Sequence, residues 1–229
     1  GAMFTDRRSA GNWNSTAGVD WSFWPTSVLN VQGFAAGTAT SGAGGDGAAY
    51  RLGVDYQTDR FGIAVGHLGV GPEATADLGF VTRTDIQRSD AFIRLTPRPR
   101  VLGLRKIDIF WSNNLFTSFG GALQDWEIGL ALAPEWNTGD GFGFFAFRGF
   151  TRLDEEFDIG DDVTVPAGDY DANQIGWFAN TSRNRPLMLS SMAFLQNYFD
   201  GHVRTITSDV TANPTANIAL TVGFTHNEV

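Results

Sequence analysis

Six turn-forming clusters punctuate this chain: Trp24-Pro25-Thr26-Ser27, Gln57-Thr58-Asp59-Arg60, Pro97-Arg98-Pro99-Arg100, Pro134-Glu135-Trp136-Asn137, Arg183-Asn184-Arg185-Pro186 and Asn213-Pro214-Thr215-Ala216. Between them lie pairs of roughly ten-residue alternating segments, each pair joined by a second, often longer, Gly/Asp-rich connection. No segment keeps a helical period over a dozen residues or so. Short turn, strand, longer loop, strand is the rhythm of an antiparallel up-and-down β-barrel, and the expected fold class is all-β.

The period of two can be followed along the chain. Trp13, Ala17, Val19, Trp21 and Phe23 share one face of a first strand, opposite Asn14, Thr16, Asp20 and Ser22. Tyr50, Leu52, Val54 and Tyr56 oppose Arg51, Gly53, Asp55 and Gln57 in the cleanest alternation of all. Ile107, Ile109 and Trp111 oppose Lys106, Asp108 and Ser112, and Ile218, Leu220, Val222 and Phe224 make a last apolar face. About twelve strands are expected in a single domain over 4–229. Gly1-Ala2-Met3 reads as an expression remnant followed by a start residue and is left out of the expected fold.

Charged residues are only 18% of the chain, while 28 residues are Gly and 19 are Phe, a balance that suits a barrel wall. The formal net charge of −9 argues against nucleic acid as a partner, since phosphate binding needs a basic surface. There is no cysteine, which removes disulfides and thiolate chemistry from consideration. No apolar run is long enough for a transmembrane helix, and no signal peptide is recognisable.

Alternation alone leaves one question open. A barrel of this pattern turns its apolar face outward into lipid around a polar lumen, or inward around an apolar pocket in the lipocalin manner. Trp13, Trp21, Phe23, Trp24, Tyr50 and Tyr56 lie near strand ends, where interfacial aromatic girdles sit, and favour lipid. Arg51, Asp55, Arg88, Asp90, Arg94, Lys106, Asp108, Asp125, Glu127 and Arg148 on the opposite faces suit a wet lumen or a solvated exterior equally well.

An ordered series of motifs carries a resemblance. Tyr50-Arg-Leu-Gly-Val-Asp-Tyr-Gln-Thr-Asp-Arg-Phe-Gly62 is followed by Val70-Gly-Pro and Leu78-Gly-Phe-Val-Thr-Arg-Thr-Asp85. Pro97-Arg-Pro-Arg100, Arg152-Leu-Asp-Glu-Glu-Phe157 and Val165-Pro-Ala-Gly-Asp-Tyr-Asp171 come later. Together these resemble the C-terminal barrel region of the bacterial domain-of-unknown-function family 5916. There, an outer-membrane-like β-barrel follows a carbohydrate-binding module of the family-nine type. The resemblance runs from about Thr5 to the C-terminus and implies an internal fragment of a longer outer-membrane or periplasmic protein. It supplies no catalytic residues.

Chemistry, if present, is expected in the acidic segment after Arg152. Asp154, Glu155, Glu156, Asp158, Asp161, Asp162, Asp169 and Asp171 place eight carboxylates within eighteen residues. Ca²⁺ or another hard divalent cation takes six to eight oxygen ligands or so, which such a cluster supplies, although the spacing is not that of an EF-hand. Solvated loop carboxylates are the plainer reading. Asp46, in Ser41-Gly-Ala-Gly-Gly-Asp-Gly47, is a weaker candidate, and the three histidines, His67, His202 and His226, show no paired zinc spacing. No nucleophile elbow, phosphate loop or dinucleotide fingerprint is present, and no organic cofactor is expected.

Two functions follow. The first is an outer-membrane-type β-barrel fragment with a structural or transport role and a lipid partner. The alternative is a soluble lipocalin-like barrel that binds a hydrophobic small molecule. It would hydrolyse esters or phosphotriesters promiscuously through a water activated by a divalent, calcium-type cation. Exposed loop aromatics such as Trp24 and Trp136 offer a third reading, sugar binding.

Overall fold

The alternating segments become strands that pair with their neighbours in order. The computed structural model describes residues 1–9, 11–41, 46–75, 81, 83–158, 164–215 and 217–228. The first nine strands are β1 (Ala2–Ser9), β2 (Asn12–Thr26), β3 (Leu29–Thr40), β4 (Gly47–Gln57), β5 (Phe61–Val70), β6 (Ile86–Leu95), β7 (Leu104–Thr117), β8 (Leu123–Trp136) and β9 (Gly141–Leu153). Three short ones follow, β10 (Phe157–Asp158), β11 (Thr164–Val165) and β12 (Gly168–Asp171). The series ends with β13 (Gln174–Asn180), β14 (Leu187–Tyr198), β15 (Gly201–Thr215) and β16 (Ile218–Glu228).

One antiparallel sheet of fourteen strands results, in the order β1 to β9 and then β13 to β16, with β12 paired to the far end of β9. β10 and β11 form a separate two-stranded sheet. No helix is present among the described residues. The expected all-β, antiparallel architecture is therefore observed, while the twelve-strand count and the closed barrel are not. The main sheet holds fourteen strands rather than twelve, and among the described residues no ladder joins β16 to β1, so the sheet is not closed into a barrel.

The two uncounted strands have a common explanation. β1 carries Asp6, Arg7 and Arg8, which hide its alternation, yet it pairs with β2 in unbroken register from Ala2↔Val19 to Ser9↔Asn12. Ladders are made by backbone groups, which every one of these residues supplies. Ala2 and Met3, set aside as a remnant, are thus the first residues of a strand. β12 lies inside the acidic segment, where charge likewise masks the period.

Contacts divide the chain into two compact units, 1–58 with 62–92 and 113–126, and 59–61 with 93–112 and 127–229. In the first unit, Tyr50, Leu52, Val54 and Tyr56 of β4 are exposed, whereas Gly53 is buried and Arg51 and Asp55 are half-buried. The buried side chains of this unit include Asn14, Thr16 and Asn30. An apolar cluster, Val70, Ala74 and Ile86 against Ala49 and Leu68, sits beside the connection between β5 and β6. In the second unit, Phe144, Ile175, Leu187, Leu189, Leu220 and Val222 are exposed, and Thr96 and Ser182 are buried. Large apolar side chains outside and small polar ones inside invert the arrangement of a water-soluble domain.

The glycine and phenylalanine content has a packing cause. In the second unit, a Cβ at Gly129 would collide with the Phe147 ring, one at Gly143 with Phe178, and one at Gly176 with Phe145. In the first, Trp21 covers Gly33 and Tyr50 covers Gly69. Each ring lies across a neighbouring strand's glycine, restoring the contact area that the missing side chain forfeits.

Candidate functional site

The acidic segment is drawn together by pairing, and most of its described carboxylates remain apart. Asp154, Glu155 and Glu156 follow β9 as exposed loop residues, and Asp158 in β10 accepts a hydrogen bond from Thr164 Oγ1 of β11 at 2.5 Å. Asp169 in β12 faces Arg152 of β9 across the ladder, and the guanidinium grips both of its oxygens at 2.8 and 3.1 Å. That bidentate hydrogen bond, with the attendant positive charge, holds the Asp169 carboxyl below the usual carboxylate range. Asp171 closes β12 opposite Phe150. Asp161 and Asp162 lie outside the described residues. Among the described residues, no three His, Asp or Glu side chains gather as a metal site.

An aromatic knot anchors this segment to the turn between β14 and β15. Phe199, held at φ 54°, meets Phe157 and Tyr170 with ring centroids 5.3 Å apart and Tyr198 at 5.0 Å. Tyr170 also donates its hydroxyl to the Pro166 carbonyl at 2.8 Å. Sequence reading saw the charges here and missed the rings that order them.

The histidines occupy separate places. His67 of β5 lies on the apolar face of its hairpin, where Nδ1 is 3.0 Å from Ser89 Oγ and Nε2 is 3.3 Å from Tyr50 Oη. His202 is the second residue of β15, and His226 of β16 stacks on Phe224 with the planes 8° apart. Asp46 is an exposed residue next to Gly47, the first of β4.

The less exposed faces carry paired charges instead. In the first unit, Arg51 and Arg88 converge on Asp90 at 3.4 and 3.7 Å, and Arg88 also donates to Asn114 at 2.7 Å. Arg83 bridges Asp125 and Gln124 at 3.0 and 2.7 Å. In the second, Lys106 sits 2.7 Å from Asp108 and 3.4 Å from Glu135, while Thr96 donates to Asp108 at 2.6 Å. These clusters pair opposite charges in partly shielded surroundings. They contain no nucleophile held by a base and an orienting third group, the arrangement that covalent catalysis requires.

No protein-family model, no curated protein and no solved structure matches the chain.

Proposed function

We infer that this chain is a lipid-embedded β-wall of the outer-membrane type, with a structural or passive-transport role. The observation that carries this reading is the inverted arrangement of faces: Leu52, Val54, Phe144 and Ile175 are exposed, while Asn14, Thr16 and Asn30 are buried. In water such an exterior drives aggregation; in a bilayer it is the stable one.

The dimensions support the same reading. On β2 the exposed apolar face runs from Trp13 to Phe23, with Trp21 near its far end. Ten steps at about 3.4 Å, tilted by about 40°, give an apolar band about 26 Å tall, close to that of outer-membrane strands. Aromatic residues at both ends of the band suit the two membrane–water interfaces. The soluble, metal-dependent hydrolase would need the opposite assignment of faces.

The test is reconstitution. The purified chain, refolded with and without lipid vesicles, is followed by circular dichroism, vesicle flotation and sizing. Folding that depends on vesicles, with co-flotation, is the expected result. A folded, monodisperse monomer in detergent-free buffer would overturn the reading.

A further inference from the structure

The exposed face of the second unit is not uniformly covered. A groove of about 480 Å³ crosses β9, β13, β14, β15 and β16, and its walls include Phe144, Ile175, Trp177, Leu195, Ile206 and His226. Register explains the depression. Phe144, Trp177, Ala193 and Ile206 are successive cross-strand partners in one row, and Ala193 is the small residue in the middle of large ones. Its single methyl leaves a floor between the Trp177 ring and the Ile206 chain.

The chemistry changes sharply at one end of this groove. Arg204 lines it, and Glu228, the cross-strand partner of Arg204 on β16, places a carboxylate oxygen 3.7 Å from the guanidinium. Both side chains are largely exposed, at 70% and 62%, so neither is consumed by the other. Moving from this end along the same faces, the exposed residues are Ile206 and then Val210 on β15, and His226 and then Phe224, Val222 and Leu220 on β16. A cation that lines the groove and an anion beside it thus stand at the β15–β16 end of a mostly apolar trough.

We propose that this groove binds one phospholipid with a zwitterionic phosphate–ammonium headgroup, its acyl chain over Ala193 and its headgroup across Arg204 and Glu228. The lipid phosphate accepts hydrogen bonds from the guanidinium, and a primary ammonium donates to the carboxylate. A headgroup with phosphate alone would leave Glu228 facing like charge. A quaternary ammonium would lack the N–H groups the carboxylate needs. The proposal rests on the lipid-facing reading of this face, and the experiment separates the two.

The full chain is reconstituted in vesicles, and bound lipid is read by native mass spectrometry after mild detergent extraction. Phosphatidylethanolamine, phosphatidylglycerol and phosphatidylcholine are supplied in equal amounts. The expected result is one retained phosphatidylethanolamine, preferred about tenfold over the other two, as one charge-assisted contact implies. Ala193→Phe, which fills the floor, should abolish retention of every lipid. Arg204→Gln should remove the headgroup preference, and the exchanged pair Arg204→Glu with Glu228→Arg should restore part of it. Insertion with equal retention of all three lipids, or retention unaffected by Ala193→Phe, would overturn the groove proposal and leave the membrane reading standing. Failure of the chain to enter vesicles at all would overturn both.

Discussion

Leu52→Arg tests the direction of the apolar face with a magnitude that depends on the surrounding solvent. Leu52 is the middle residue of β4, paired with Gly33 on one side and His67 on the other, and 51% of its surface is exposed. In water, the substitution removes about half of a leucine's burial, about 1 kcal/mol, part of which the arginine stem recovers by lying along the sheet. In a bilayer, a charged residue at mid-depth on the lipid face of a barrel costs about 2–4 kcal/mol. The lipid-embedded reading therefore predicts a loss of about 3 kcal/mol, more than a hundredfold in the folding equilibrium. Gln32→Arg is the control. Gln32 is exposed on the opposite face, beside Gly53, and the change should stay within about 0.5 kcal/mol. Both variants are refolded into vesicles and unfolded in guanidinium chloride, with tryptophan emission as the probe. A loss of under 1 kcal/mol for Leu52→Arg, or equal losses for both, would refute the outward assignment.

Three further outcomes follow from the geometry. Gly129→Ala should cost about 1–3 kcal/mol by overpacking, because the three atoms nearest the added carbon are side-chain atoms of Phe147 and Ser112. The same change in a Phe147→Leu background should cost far less, a non-additivity visible in a denaturant double-mutant cycle. Asp140 holds the turn between β8 and β9, accepting from Thr138 Oγ1 at 2.8 Å and from the Ser182 amide at 3.0 Å beside the Arg185 guanidinium. These hydrogen bonds lower its pKa, so its contribution to stability is present above the ordinary carboxylate range and disappears as pH falls through the lowered value. Asp140→Asn should flatten the acid limb of the melting-temperature profile, and an unchanged limb would refute the assignment. Arg152 and a cation compete for the same oxygens of Asp169. Arg152→Gln should therefore enlarge any calcium-dependent rise in melting temperature, and a shift equal to the parent's would show that Asp169 takes no part.

Much of the fold was legible because a strand's side chains alternate with a period of two, whatever they pack against. Tyr50 to Gln57 announces β4, and the turn clusters mark where chains reverse, since proline and glycine act through local backbone angles. β1 was hidden because its pairing is made by backbone atoms, while its sequence displays Asp6, Arg7 and Arg8. The acidic segment was legible as composition only. Which carboxylate meets Arg152, and which rings gather on Phe199, depend on register between strands that sequence spacing does not encode.

By itself, then, the chain's sequence determined an all-β, antiparallel, stepwise-paired architecture with no apolar run long enough for a transmembrane helix, because these depend on local periodicity and turn chemistry. Tertiary structure decided that, among the described residues, the main sheet has fourteen strands with no ladder between its first and last, and that Leu52 and Phe144 are exposed while Asn14 and Asn30 are buried. It also placed Arg204 beside Glu228 at the end of a groove floored by Ala193. An alternating strand has two chemically distinct faces but no inside or outside. Only its pairing with neighbours, and the space they leave, assigns one face to solvent or lipid and the other to the shielded side.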